Sequence, residues 1–490
     1  MTGPGGPAPA RSFGRFVADA AAAGQLVVQP RMGFGDPVRM RAGLERTRFA
    51  AATTVGTLTI DSYTRVGDLA GARAALAEGV PLNGYPITAH PVERTRALLA
   101  GVRDDSFPVQ VRHGSSRPEA IIRALTAAGL DATEGGPVSY CLPYGRTPLR
   151  ESVDNWARGC ELLAELAPPP RVPHLETFGG CMLGQLCPPG LLVALSLLEG
   201  LFFVEHGIRE ISLSYAQQTD RAQDTEAVRA LRRLAAEFLP PAVDWHVVLY
   251  TYMGVYPATE AGAYRLLRSS ARLAVLAGAQ RLIVKTAAEA HRIPTVGENV
   301  RALEVAAAAA AAEWPSPRPS GTGVDALDSP YGVDGLMGPA GADAPEVLED
   351  SEVYVEARAF VEAVLGIGKE TGAALRIAFD RGYLDIPYCL HPDNAGRSRS
   401  FVDAGGRLRW SRVGAMPVAP GPAPAGGPRA LTADGLLAAL YTVAQRHDRP
   451  DLYDATDRPG PHRPRGLRGR PGPGDPRGRP DEHGHHGPPG

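Results

Sequence analysis

Four side chains carry the clearest chemistry in this sequence. Arg65 closes the segment TIDSYTR, Arg112 closes VQVR, Arg31 stands in VVQPRMGFG beside two glycines, and Glu134 falls in LDATEGG. A guanidinium fork pairs with a carboxylate through two parallel hydrogen bonds, which the point charge of an ammonium cannot imitate. Three such forks with one glutamate describe a ligand bearing at least one carboxylate and an amine for Glu134 to hold. Phosphate is the competing anion, but no glycine-rich nest opens a helix after the late strands, where barrels bind phosphate. Singly, each residue also fits a blander role. A strand-end arginine reads as a rim salt bridge, Glu134 as a partner of Arg112, and Tyr140 and Tyr144 as packing. Lys285, after RLIV, has two functional readings: a Schiff-base nucleophile in a dry pocket, or a charge beside a bound cofactor.

To act together these residues need one scaffold. Short β-branched runs at 53–60, 80–86, 107–113, 130–136, 172–179, 210–216, 244–252 and 281–286 alternate with segments whose apolar residues recur every three or four positions, the period of an amphipathic helix. Ser152 and Thr225 stand where two of those helices would be capped. Eight strands, each followed by a helix, is the count of an α/β chain folded as a (β/α)8 TIM barrel. An open doubly wound sheet is the rival, yet VGTLTI lacks the glycine-rich turn that often follows the first strand of such a sheet. Barrel active sites form at the C-terminal ends of the strands. That rule selects Arg65, Asn83, Arg112, His113, Glu134, Phe178, Tyr215, Met253 and Lys285, with Arg31 just ahead of the barrel.

Composition divides the chain into an N-terminal segment (1–27), the barrel (28–313), a Pro/Gly-rich linker (314–350), a smaller helical or α+β region (351–415) and a low-complexity tail (416–490) expected to be largely disordered. The net charge of -2 offers nothing to nucleic acid or an anionic membrane. Five cysteines without C-x-x-C spacing read as reduced, buried thiols of a cytoplasmic protein. The most apolar run, LLVALSLLEGLFFV (191–204), is shorter than the roughly 20 residues of a membrane span, and Glu199 interrupts it. It reads as a helix buried against a sheet. The terminal EHGHHG reads as solvated coil, and no metal site is expected.

The order and wording of the segments resemble the large (epsilon) subunit of methylaspartate mutase, also called glutamate mutase. The matching stretches are QPRMG, TIDSYTR, LNGYP, QVRHG, EGGPVSYCLPY, TFGG with CPP downstream, YMGVYP, LIVKTAAEAHRIPT, and LDIP with PDNAG beyond. The resemblance implies a (β/α)8 barrel that binds adenosylcobalamin across its mouth and interconverts L-glutamate and (2S,3S)-3-methylaspartate by a radical mechanism. It places the substrate-carboxylate claw on Arg31, Arg65 and Arg112, with His113 next to it in the chain. It gives Glu134 the amino group, which this residue would hold and deprotonate, and it gives Tyr140 and Tyr144 substrate contacts. Contacts with the cofactor fall on Gly33, Asn83, Pro143, Lys285, Glu289, Ile293 and Tyr256, where the family has phenylalanine.

The cobalamin signature D-x-H-x-x-G, whose histidine ligates cobalt, is missing. Asp244-Trp-His246 runs on into Val-Val-Leu without the glycine. The resemblance therefore implies a separate small cobalamin-binding subunit and a heterotetramer around a dimer of large subunits. Two other readings stay open: a class I aldolase using Lys285, and a non-catalytic paralogue that keeps the fold as a binding subunit.

Overall fold

The computed structural model describes residues 11–143, 145–167, 171–181, 186–314, 350–421 and 433–449. Its centre is eight parallel strands: β1 (Val27–Gln29), β2 (Gly56–Thr59), β3 (Val109–Arg112), β4 (Ala132–Gly135), β5 (His174–Thr177), β6 (Glu210–Ala216), β7 (Asp244–Tyr250) and β8 (Arg281–Ile283). They pair in the order β1-β8-β7-β6-β5-β4-β3-β2. The bridge Val28–Thr54 joins the two ends, with Val28 N–H donating to Thr53 O at 2.9 Å. The sheet thus closes into a (β/α)8 barrel.

Helix α1 (Phe13–Ala22) precedes β1 and α2 (Pro37–Arg48) follows it. Helices α3 (Ser62–Val66), α4 (Leu69–Ala77) and α5 (Val92–Leu99) follow β2. After β3 to β8 come, in turn, α6 (Glu119–Ala127), α7 (Leu149–Leu166), α8 (Pro189–Glu205), α9 (Arg221–Phe238), α10 (Glu260–Ala277) and α11 (Val296–Glu313). Helices α12 (Glu352–Leu365) and α13 (Thr371–Arg381) then lead into the antiparallel pair β9 (Arg399–Val402) and β10 (Leu408–Arg412), and α14 (Ala433–Asp448) comes last.

Two expectations about the strands fail, for related reasons. Residues 80–86 form no strand and keep a single bridge, Ile60–Tyr85. Pro81 and Pro86 each remove a ladder donor from that run. The missing strand is β1, only three residues long, so Arg31 follows the first barrel strand instead of preceding the barrel. The helix caps also differ. Pro148 and Asp220 begin α7 and α9, while Ser152 and Thr225 lie inside those helices. The linker 315–349, the tail beyond 449 with its EHGHHG, and Tyr144 lie outside the described residues. Within the segment read as tail, α14 is an ordered helix packed on α10.

The barrel interior is polar where branched aliphatic side chains would be usual. Gln29, Gln110, Glu176, Ser212, His246 and Arg281 are all buried there. Arg281 donates to Glu176, Gln29 and Ser212 and meets His246 at 3.2 Å; Gln110 donates to Glu176 at 3.2 Å. Helix α1 plugs the lower end. Phe13 packs on His174, Arg281 lies over the Phe13 ring, and the Gly14 N–H donates to Glu210 at 2.7 Å. A side chain at Gly14 would strike that carboxylate.

The run 191–204 is buried as expected. Helix α8 is apolar on all sides because β5 and β6 cover one face and α12 another. No described helix is long and apolar enough to cross a membrane. The thiols of Cys141, Cys160, Cys187 and Cys389 are free and buried.

Candidate functional site

The C-terminal ends of the strands surround a cavity of about 150 Å³. Arg31 reaches it from the exit of β1, Thr59 and Arg65 from β2, Arg112, His113 and Gly114 from β3, Glu134 and Tyr140 from β4, Phe178 from β5, and Met253 from β7. Glycine makes the crowding possible. A Cβ at Gly33 would sit 2.2 Å from the Thr59 carbonyl oxygen, and one at Gly114 would sit 3.0 Å from Cδ of Arg65. The exits of β1 and β2 can therefore cross closely, bringing Arg31 and Arg65 to the same opening.

The three arginines differ in their partners. Arg112 is buried, and its Nε donates to Glu134 at 2.7 Å. Its Nη2 donates to the Tyr250 hydroxyl at 3.0 Å, and that hydroxyl in turn donates to Glu176. Arg31 is half-exposed and pairs with Glu289 at 3.1 Å. The exposed Arg65 guanidinium has no hydrogen bond or ion pair among the described residues. One cation is thus matched inside the barrel, one at the rim, and one is free to meet a ligand anion.

Glu134 is held from three sides. It accepts from Arg112 and from the Tyr140 hydroxyl, and the Tyr250 hydroxyl stands 3.1 Å away. Burial, and then the neighbouring Glu134 charge, push the Tyr140 phenol well above its ordinary value, so it stays a neutral donor. Burial pulls the Glu176 carboxyl upward, but Arg281 and Arg112 outweigh it and hold it below the usual range.

His113 stacks on Trp156 with planes 9° apart. Its Nδ1 accepts from Ser115 N–H at 3.1 Å, which leaves the proton on Nε2, a buried atom without a partner. Burial, reinforced by Arg112, lowers its pKa to about 3. This imidazole is held as a neutral donor. The Thr59 hydroxyl is a second buried atom without a partner in the lining.

Lys285 lies beside the cavity, 8 % exposed, and is not part of its lining. Its Nζ is 4.6 Å from the centre of the Tyr256 ring, 3.5 Å from the Tyr252 carbonyl oxygen and 3.9 Å from Glu289. Burial lowers its pKa to about 8; Glu289 opposes that shift and Arg31 adds to it. The Tyr256 hydroxyl is buried without a partner. Asn83, Pro143 and Ile293 stay outside the cavity, on the loops after β2, β4 and β8. Asn83 accepts from Ser62 N–H at 3.0 Å, and Ile293 is 59 % exposed. Tyr215 does not reach the site, because its hydroxyl donates to Asp224 on α9 at 2.8 Å.

Sequence reasoning missed three residues that organise the site. Glu176 and Tyr250 connect Arg112 to the barrel interior. Glu199, noted only as a break in an apolar run, accepts from the N–H groups of Val138 (3.1 Å), Ser139 (2.9 Å) and Phe178 (3.3 Å) and from the Ser139 hydroxyl (3.0 Å). It anchors the loops that carry Tyr140 and Phe178. Burial raises its pKa to about 7 despite those donors. A carboxylate midway along the most apolar helix was the available signal, since a buried charge needs a set of donors.

The profile of the methylaspartate mutase E chain (MutE) family matches residues 8–312 and 339–421. The glutamate mutase epsilon subunit of Halobacterium salinarum is 32% identical over 365 residues, 73% of this chain and 71% of that protein. That of Desulfitobacterium hafniense is 29% identical over 424 residues, covering 83% and 81%. That of Escherichia coli O157:H7 is 28% identical over 373 residues, covering 74% and 72%. With the family's profile spanning the barrel and the smaller C-terminal region, this chain belongs to the methylaspartate mutase E chain family.

Proposed function

We propose that this chain is the substrate-binding subunit of an adenosylcobalamin-dependent mutase interconverting L-glutamate and (2S,3S)-3-methylaspartate. The observation that carries the reading is the buried Arg112–Glu134 ion pair beside the free Arg65 guanidinium. An amino acid zwitterion can enter this pair charge for charge, its carboxylate replacing Glu134 at Arg112 and its ammonium replacing Arg112 at Glu134. Each buried charge keeps an opposite charge beside it, which a ligand without both an ammonium and a carboxylate would not supply. Arg65, with Arg31 beside it, then answers a second carboxylate. The ligand class is an acidic amino acid.

In that complex the fork of Arg112 fixes one carboxylate, braced from behind by Tyr250. Glu134 accepts from the ammonium and can take its proton. Tyr140 and His113 donate to substrate oxygens while remaining neutral. Phe178 and Met253 cover the reacting carbons against water. Holding fragments in register is worth several kcal/mol to a reaction that breaks and remakes a carbon skeleton.

Residues on the loops after β1, β7 and β8 fit a large cofactor with hydroxyl and apolar parts. Tyr256 offers a buried hydroxyl lacking a partner, Lys285 and Glu289 offer a donor and an acceptor, and Ile293 presents bare apolar surface, with the half-buried Gly33 beside Thr59 at the exit of β1. Asn83 and Pro143 would complete this rim, and Tyr144 would join Tyr140 on the substrate. Bound there, adenosylcobalamin would supply radical hydrogen abstraction. Its cobalt ligand would come from the histidine of a small partner subunit, in a heterotetramer built on a dimer of this chain.

The test mixes this chain with such a subunit, adenosylcobalamin and L-glutamate and follows methylaspartate by NMR. Formation that depends on all four components supports the reading. The lowered Lys285 pKa also favours a Schiff-base aldolase. Borohydride trapping of a carbonyl substrate on Lys285, with no need for cobalamin, would replace the mutase with that alternative.

A further inference from the structure

Helix α14 lies past residue 421, the last that the family profile matches, and contributes nothing to the cavity lining. It nevertheless grips the loop after β7 (251–259) at both ends. At the start of that loop the Tyr252 hydroxyl donates to the Leu440 carbonyl at 3.2 Å. At its end Asp448 accepts from Ala258 N–H at 2.9 Å, from Thr259 N–H at 3.0 Å and from the Thr259 hydroxyl. Between these points Val443 packs in one apolar cluster with Tyr252, Tyr256 and Leu266.

The first turns of α10 are shaped for the end of α14. Arg265 Nε donates to the His447 carbonyl at 2.7 Å, and a Cβ on Gly262 would sit 2.2 Å from Oδ1 of Asp448. Glycine at that helical position costs about 1 kcal/mol relative to alanine, so its use there marks a close approach. The gripped loop meets the candidate site three times: through the Tyr252 carbonyl near Lys285, through Met253 in the cavity wall, and through the Tyr256 ring beneath Lys285.

We propose that α14 is a brace whose docking on Thr259, Gly262 and Arg265 sets the β7 loop and, through it, holds Lys285 buried against Tyr252 and Tyr256. Asp448 and Tyr252 are then positioning residues that touch no ligand. The inference concerns the fold's hold on Lys285 and stands independently of the mutase reading.

The chain contains only two lysines, Lys285 and the exposed Lys369. Isotope-labelled lysine in the full-length protein therefore gives one NMR signal for the braced amine and one reference. In the wild type the Lys285 signal should titrate below the ordinary lysine value, at about 8, because of its burial. In Asp448→Ala, and in Gly262→Val where the steric fit is spoiled instead, the midpoint moves up toward the ordinary lysine value. Amides of 251–259 then exchange roughly tenfold faster, the loss expected for a charge-assisted hydrogen bond, while β6 keeps its protection. Tyr252→Phe, which removes only one hydroxyl, shows the same changes in smaller degree. Two results would overturn the brace: titration and exchange as in the wild type in all three variants, or loss of protection in β6 equal to that in 251–259.

Discussion

Arg281 and Arg65 are the same residue type a few strands apart in one barrel, and their surroundings are opposite. Arg281 is fully buried in the lower half, where Glu176, Gln29, Ser212 and His246 together engage its guanidinium. Arg65 is exposed at the mouth and meets no acceptor among the described residues. Arg112 lies between them, buried yet paired with a glutamate that itself lines the cavity. A cation whose bonds are complete within the chain serves the fold, while one left incomplete at a cavity is available to a ligand. The barrel grades from the first condition to the second along its axis.

Substitutions should reproduce that grading. The largest effect belongs to Arg281→Met, which leaves Glu176 buried without its cation; urea unfolding should show a loss of about 3–5 kcal/mol, as when one partner of a buried pair is removed. A loss below 1 kcal/mol would mean that the interior is wetter than its burial implies. Next comes Arg112→Lys, which keeps the charge and loses the fork. The fold should stand, while L-glutamate binding weakens by about ten- to a hundredfold and turnover with the partner subunit disappears. Near-normal activity would remove Arg112 from the claw.

Tyr256→Phe restores the residue that the family resemblance leads one to expect and deletes a buried hydroxyl without a partner. The free chain should gain about 1–3 kcal/mol in unfolding free energy. If that hydroxyl serves a cofactor, the same variant binds adenosylcobalamin more weakly; unchanged stability and unchanged binding would leave the hydroxyl without a role. The smallest effect on stability belongs to Arg65→Met, within about 0.5 kcal/mol, because nothing in the fold depends on that side chain. Its cost should fall on the KM for L-glutamate.

The same axis divides what the sequence displays from what it hides. Strand ends were legible because the fold places chemistry there. Arg65, Arg112, His113 and Glu134 were found by that rule, and the structure brings them to one cavity. Tyr140 and Glu289 needed the family resemblance, since nothing in their local pattern separates them from packing and solvent-facing residues. The lower barrel was not legible. Gln29, Gln110, Glu176 and Arg281 come from four separate strands, and a polar residue in a strand reveals its partner only after the barrel closes. Glu176 in HLET sits directly across from Glu134 in the β4–β5 register, a relation between residues 42 positions apart that no local window contains. Strand β1 escaped notice because Val27–Gln29 is only three residues long and buried throughout, too short to repeat the two-residue alternation that marks a strand. Helix α14 was lost inside a segment dominated by Pro and Gly, although DGLLAALYTVAQ has helical spacing.

The central claim is that an acidic amino acid replaces the internal partners of Arg112 and Glu134 and completes the valence of Arg65. A crystal structure of the chain with L-glutamate tests this most directly. The account predicts one carboxylate on Arg112, the ammonium on Glu134 and the second carboxylate at Arg65 and Arg31, with the Arg281–Glu176 pair undisturbed. Glutamate bound elsewhere, with the Arg112–Glu134 bond intact, would contradict it.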